Sequence, residues 1–390
     1  MLSQKSGKAK LDDVTRILAE LKADLDANKL SVEGMILCDA HRARSDSVDD
    51  EFLASRVLFL MTYDANLDYA QLVRENQLAE SINAAIERHA KRYSTASRQP
   101  MELMALSETL KLVFNIIHFH KDLSPHFTKS IPYVFKILVL SGTAQPPLAP
   151  PARELVNALL HLDLESEEGK KAVFPPDDAK CNAEHLIKML DKAIITYPSK
   201  DLDDAITPLL TLIRQVYEIA PEQVQKTMEK MILPTTEERD RPLGKSDTLP
   251  SRLLNLSTSG HTSTLRGSIS SMLFELSHKD PATFVHNVGY GFASGYLMSN
   301  NIQMPEEVMR ANAPQDVAEG IPVNPITGQR LDKEEQVPQE PMTQEEKERE
   351  AERLFVLFER LKATGVVDVQ NPVEEAYRSG RIEELPDDSD

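Results

Sequence analysis

The stretch LMALSETLKLVFNIIH, Leu103 to His118, decides the fold class. Its apolar residues Leu103, Leu106, Leu110, Val113, Phe114 and Ile117 recur at steps of three and four. That spacing places them on one face of an α-helix. The same period recurs upstream. Leu11, Val14, Ile17, Leu18, Leu21 and Leu25 trace a first helix, and FLASRVLFLMTY, Phe52 to Tyr63, is apolar enough to be a buried one. Leu78 to Ile86 and Ile131 to Leu140 continue the pattern, and QPPLAPP at Gln145 to Pro151 breaks it. Downstream, helices are predicted over Arg153 to Leu164, His185 to Ile195, Leu202 to Ile219 and Pro221 to Ile232. Pro198, Pro221 and Pro234 punctuate them. Pro250 to Leu256, Leu265 to Leu276 and Val288 to Met298 complete the series. No period-2 run of useful length is present, which disfavours β and α/β folds. Helices of this length joined by short loops suggest an all-α, armadillo/HEAT-like α-solenoid over residues 1–299. An irregular helical bundle fits the pattern almost as well.

From Asn300 to Pro341 the chain turns to Pro, Glu, Asn and Gln, and reads as a disordered linker. A strong amphipathic helix follows over 342–365. Thr343 and Glu346 form a T-x-x-E capping box, and Ala351, Leu354, Phe355, Phe358 and Leu361 share one face. Gly365 ends it, and 366–390 is an acidic tail. Arg330 to Asp390 holds 18 acidic and 9 basic residues, so its net charge of −9 is half of the chain's −18. The C-terminal segment is therefore a flexible acidic appendage around one helix.

Composition excludes several functions. A net charge of −18 with no basic stripe argues against nucleic acid, whose phosphates need clustered Lys and Arg. The two cysteines, Cys38 and Cys181, are far apart and have no metal spacing; a reducing compartment follows. Met1 to Lys10 is polar, with no apolar signal region, and no run reaches the roughly 18 apolar residues of a membrane span. A cytoplasmic protein is the expectation.

Four features were candidates for chemistry or binding. In HFHKDLSPH, His118 and His120 point to different helix faces, which is poor geometry for one metal; helix-end capping is the simpler reading. In GYGFASG, Gly289, Gly291 and Gly295 lack the preceding strand and Lys of a phosphate loop, so close packing of small residues is favoured. The Ser/Thr-rich stretch Ser257 to Ser271 around His261 has no nucleophile elbow and reads as a polar loop. Finally, Arg56, Lys111, Asn115, Asn157, His161, Arg214 and Gln215 sit within otherwise apolar helices. They either line a groove for a partner segment or merely solvate their helices.

Five segments in order resemble the synembryn family, fungal type. RVLFLMT at Arg56 to Thr62 is similar to its R-x-LFLLT helix, and LKLVFNI at Leu110 to Ile116 to its LKVLFNI. VGYGFASGYL at Val288 to Leu297 resembles its GYGNAAGLL segment, and VNPITGQ at Val323 to Gln329 its INPVTG linker motif. MTQEEKEREAERLFVLFERL at Met342 to Leu361 resembles its last helix. The family's members are non-receptor guanine nucleotide exchange factors and folding chaperones for heterotrimeric G-protein α subunits. Two departures stand out. Lys29 to Asp50 alone fills an interval where the family has further repeats, so the N-terminal repeats read as shortened. Asn300 to Pro322 lacks the phosphorylated acidic run of animal relatives.

The resemblance implies that the groove holds the C-terminal helix of Gα, with contacts mapped to Arg56, Lys111, Asn115, Asn157, His161 and Arg214. It implies a second contact, through Leu354, Phe355, Phe358 and Leu361, near the Gα switch regions. It also implies no covalent chemistry, no cofactor and no metal, a monomer, and recruitment to the plasma membrane only through Gα. An armadillo-type adaptor without exchange activity, and a hydrolase built around His261, are the alternatives.

Overall fold

The computed structural model describes residues 48–63, 68–93, 99–141, 145–260, 263–303, 315–316, 322–324, 326–334, 343, 347, 349–353 and 355–356. The first predicted helix, Cys38, His261, most of the appendage helix and the acidic tail lie outside them.

Among the described residues, fourteen α-helices organise the unit that ends at Glu334. They are α1 (Val48–Met61), α2 (Tyr69–Arg74), α3 (Leu78–Tyr93), α4 (Pro100–Phe119), α5 (Ile131–Ser141), α6 (Ala152–Leu159) and α7 (Glu167–Val173). Then come α8 (Cys181–Thr196), α9 (Leu202–Ile219), α10 (Glu222–Ile232), α11 (Leu249–Ser257), α12 (Ser263–Leu276), α13 (Pro281–Val288) and α14 (Tyr290–Ser299). A 3-10 turn, Lys121–Ser130, leads from α4 into α5.

The helices form two rows. In one, α1, α4, α6, α9 and α12 pack side by side in that order. In the other, α3, α5, α8 and α10 do the same. Contacts of consecutive helices, such as α5 with α6 and α8 with α9, join the rows. Each helix thus packs mainly on its neighbours, as in an α-solenoid. One apolar cluster runs between the rows from Val57 to Leu297. The helix read first, α4, is buried nearly all round. Leu106, Leu110, Leu112, Val113, Ile116 and Ile117 are all at most 2% exposed. Phe114, placed on the buried face by its spacing, is only half-buried because it looks outward with Lys111.

Several ends follow from local chemistry. Asp280 caps α13 by accepting from the Thr283 N–H at 2.7 Å, and Pro281 opens the helix where no amide donor is needed. The predicted helix over Val288 to Met298 is divided at Gly289, which has φ +80° and lies between α13 and α14. The Ser/Thr-rich stretch is a loop only in part, since α12 begins at Ser263.

A polar cluster is sealed where α1, α3 and α4 meet. The Glu51 carboxylate accepts from Arg88 at 2.9 Å, from His89 at 2.7 Å and from the Thr109 hydroxyl at 3.3 Å. Ser55 pairs with Thr109 at 2.9 Å. Glu51, Ser55, His89 and Thr109 are all buried.

The range 300–341 was expected to be a linker, and part of it is packed instead. Val323 to Glu334 belongs to the helical unit. Pro322–Val323 pairs with Gln315–Asp316 as two short antiparallel strands. Asn324 to Gln329 closes on itself through Gly328 N–H to Asn324 O, 2.8 Å, and Asn324 N–H to Gln329 O, 2.7 Å. This turn is hydrogen-bonded to the body by Leu243 N–H to Thr327 O, 3.0 Å, Gly291 N–H to Ile326 O, 3.2 Å, and Arg330 N–H to Arg239 O, 2.8 Å. The buried Arg239 guanidinium donates to the carbonyls of Gly328, His286 and Asn287, each at 3.0 Å. Gly328 has φ +67°, and a Cβ there would meet Leu243 at 2.4 Å. Composition suggested disorder because these bonds come mostly from backbone atoms, which a polar sequence does not advertise.

Candidate functional site

The polar residues mapped to a groove sit on successive helices of the first row: Arg56 on α1, Lys111 and Asn115 on α4, Asn157 on α6, and Arg214 on α9. His161 follows directly after α6. Their side chains differ in state. Arg56 and Lys111 converge on one carboxylate, Glu108, at 3.0 and 2.9 Å. Arg214 makes a two-pronged pair with Glu275 of α12, at 2.9 and 2.5 Å. Arg56–Glu108 ties α1 to α4 and Arg214–Glu275 ties α9 to α12, while Lys111–Glu108 lies within α4. Asn115 donates to the Thr62 hydroxyl at 2.7 Å. Asn157 keeps its side-chain amide without a hydrogen-bond partner among the described residues, while its carbonyl accepts from His161 Nδ1 at 3.3 Å.

That bond fixes the His161 tautomer, so its Nε2 faces His118 Nδ1, 3.4 Å away, as an acceptor. Both rings lie against Phe114. His118 lies in the last turn of α4 and His120 at its C-cap, as the helix-end reading expected; His118 is also exposed and in ring contact with Phe114, Phe119 and His161. No group of three or more metal-ligating side chains occurs among the described residues.

Aromatic residues that sequence reading did not single out share this face. Phe59, Tyr63 and Phe114 line one cleft with Lys111, Asn115, Glu154 and Asn157, and Phe119 meets Tyr63 edge-on beside it. Their signal was present in the sequence: Phe59 and Tyr63 are four apart, as are Phe114 and His118, but an aromatic at that spacing reads as core. Beyond His161 a larger cleft of about 430 Å³ is bounded by Lys121, Asp163, Glu165, Gln215 and Glu218.

Burial lowers the His161 pKa, with His118 and Lys121 adding to the effect. Burial also lowers those of His185 and His286, whose Nε2 atoms are buried without a partner. A base whose folded pKa lies below its unfolded value binds more protons when unfolded, so stability falls as pH drops below about 6.5. Melting midpoints are expected to decline between pH 7 and 5.5, and less so in His185→Leu. A flat profile across that range would refute this.

In the acidic appendage, Lys347 and Arg349 to Arg353 are helical, with Phe355 and Val356. Phe355 is 41% exposed. Leu354, Phe358 and Leu361 lie outside the described residues. No helix among the described residues is long and apolar enough to cross a membrane.

Against known families, residues 15–381 match the model described as guanine nucleotide exchange factor synembryn. The chain belongs to the synembryn family. A synembryn-like chaperone of Schizosaccharomyces pombe is 25% identical over 364 residues, 87% of this chain and 67% of that protein. The chaperone Ric-8A of Xenopus tropicalis is 26% identical over 211 residues, 52% of this chain and 37% of its own length. The rat Ric-8A is 24% identical over 347 residues, 82% and 64% of the two chains. The aligned part thus spans between about a third and two thirds of these synembryn relatives. The matched range contains all five segments that carried the resemblance, including the packed turn at Val323 to Gln329 and the helix from Met342.

Proposed function

We propose that this chain is a guanine nucleotide exchange factor and folding chaperone for heterotrimeric G-protein α subunits. The family match over 15–381 carries the reading. The first-row face receives the C-terminal helix of Gα, and the helix from Met342 holds a second site on the same partner. Gα's guanine pocket depends on where that C-terminal helix sits, so drawing the helix away loosens the nucleotide. No covalent step and no cofactor are needed.

The energetics favour two contacts. A nucleotide held at nanomolar affinity is worth about 12 kcal/mol. By linkage, the exchange factor must prefer empty Gα by a similar margin to displace it alone. Two sites on one chain raise the effective affinity without either being extreme. GTP then ends the complex by refilling the pocket. An armadillo-type adaptor would bind a partner segment through the same face and leave nucleotide release unchanged.

Release of labelled GDP from a fungal Gα, with and without this chain, separates the two. Acceleration is expected, with a drop of about tenfold in the Phe355→Ala, Phe358→Ala double variant, since paired aromatic anchors each carry more than about 1 kcal/mol. Binding without faster release would leave the adaptor. Absence of binding would sink the proposed partner.

A further inference from the structure

The chain leaves the helical unit at Glu334, and it is fastened there almost residue by residue. The Asn324 side-chain amide donates to the Glu334 carboxylate at 2.6 Å. The Gln329 amide donates to the carbonyls of Asp240 and Lys333, each at 3.1 Å. Arg330 reaches the Asp240 carboxylate at 3.6 Å, and its backbone N–H donates to the Arg239 carbonyl. Arg239 and Gln329 are both buried. Yet this turn adds little to the apolar core. Ile326 and Leu331 are exposed, and buried Val323 stands apart from the main apolar cluster. So many polar bonds on a segment that builds no core fix where the chain departs.

That fixed point sets a length. Glu334 and Thr343, where the capping box of the appendage helix begins, are nine positions apart. Nine residues span at most about 32 Å. With the turn unseated, the nearest upstream residue packed on the core is Ile302, forty-one positions from Thr343. Pro, Glu, Asn and Gln dominate that stretch, so a released chain has little apolar surface on which to shorten itself. The local concentration of a tethered site falls as roughly the −3/2 power of the tether's length. Going from nine residues to forty-one therefore lowers it about tenfold.

We infer that the seated turn is a clamp on the tether between the two partner contacts. Arg239, Gly328 and Gln329 are its positioning residues: they hold the exit at Glu334, keep the connection short, and so raise the local concentration of the appendage helix at its site on Gα. The inference rests on the function proposed above and names what couples its two contacts.

The test is the affinity of the full chain for nucleotide-free Gα, read by calorimetry, with hydrogen exchange at Leu243 and Gly291 reporting whether the turn is seated. A thirty-two-residue Gly/Ser insert between Glu335 and Met342 gives the long tether and leaves the turn untouched. It is expected to weaken binding about tenfold with both amides still protected. Gly328→Ala puts a Cβ against Leu243 and is expected to raise exchange at both amides and weaken binding by a similar factor. In a Phe355→Ala, Phe358→Ala background, where the second contact is lost, either change is expected to alter affinity less than about twofold. Full or tighter affinity with the insert overturns the clamp and leaves the proposed partner standing. An equal loss from Gly328→Ala in both backgrounds overturns it too, since the turn would then serve only the fold. No binding by the unaltered chain removes the partner and the clamp together.

Discussion

Glu51→Ala is expected to destabilise the helical unit by about 3–5 kcal/mol, the usual consequence of removing one partner from a buried charged cluster. The carboxylate is the acceptor for Arg88, His89 and Thr109. Without it the Arg88 guanidinium loses its counter-charge beside three buried residues, and a cavity opens between α1, α3 and α4. For a unit of this size the melting midpoint should fall by roughly 10 °C. Glu51→Gln keeps the shape and one acceptor oxygen and should fall between the two. A midpoint within about 2 °C of the unaltered chain, in the Ala variant, would show that water or rearrangement replaces the lost acceptor.

Arg239→Ala is the second large effect. Its guanidinium joins the C-terminal carbonyls of α13, at His286 and Asn287, to the carbonyl of Gly328. Hydrogen bonds from a charged donor are worth about 1.5–3 kcal/mol each, and three acceptors lose theirs together. A global loss of about 3 kcal/mol is expected. A local signature distinguishes this from a general weakening. The amides of Leu243 and Gly291 donate to Thr327 and Ile326 of the packed turn, so their hydrogen exchange should rise more than that of the α4 amides. Unchanged exchange at those two sites would mean that the turn stays seated without the arginine.

The helical class was legible because the apolar spacing of segments such as Leu103 to His118 admits no other regular structure. Boundaries were read less well. The short helices α2 and α7 carry too few apolar residues to show a period, and α13 was hidden because Gly289 lies inside a run that looks continuous. The row of polar residues was legible as a set, since each interrupts an apolar helix. Their pairing was not: Arg56, Lys111 and Glu108 meet only because α1 lies beside α4. The aromatic residues were missed for the opposite reason. Phe59 and Phe114 sit in apolar runs, and nothing in a one-dimensional pattern tells an inward ring from an outward one. The turn at Val323 to Gln329 escaped the reading of composition, and its resemblance to a family motif was itself read as part of the linker.

Two rows of helices that pack mainly on the preceding and following members have an elastic consequence. A small change in each crossing angle sums along the row, so the distance between its first and last helices can alter appreciably while no single contact is broken. Such a body behaves as a soft spring, with stiffness set at the joints where Arg56–Glu108 and Arg214–Glu275 bridge adjacent coils. On the proposed reading, that compliance lets one surface grip a client whose own shape is still changing, tightening as the client settles and yielding when nucleotide makes it rigid.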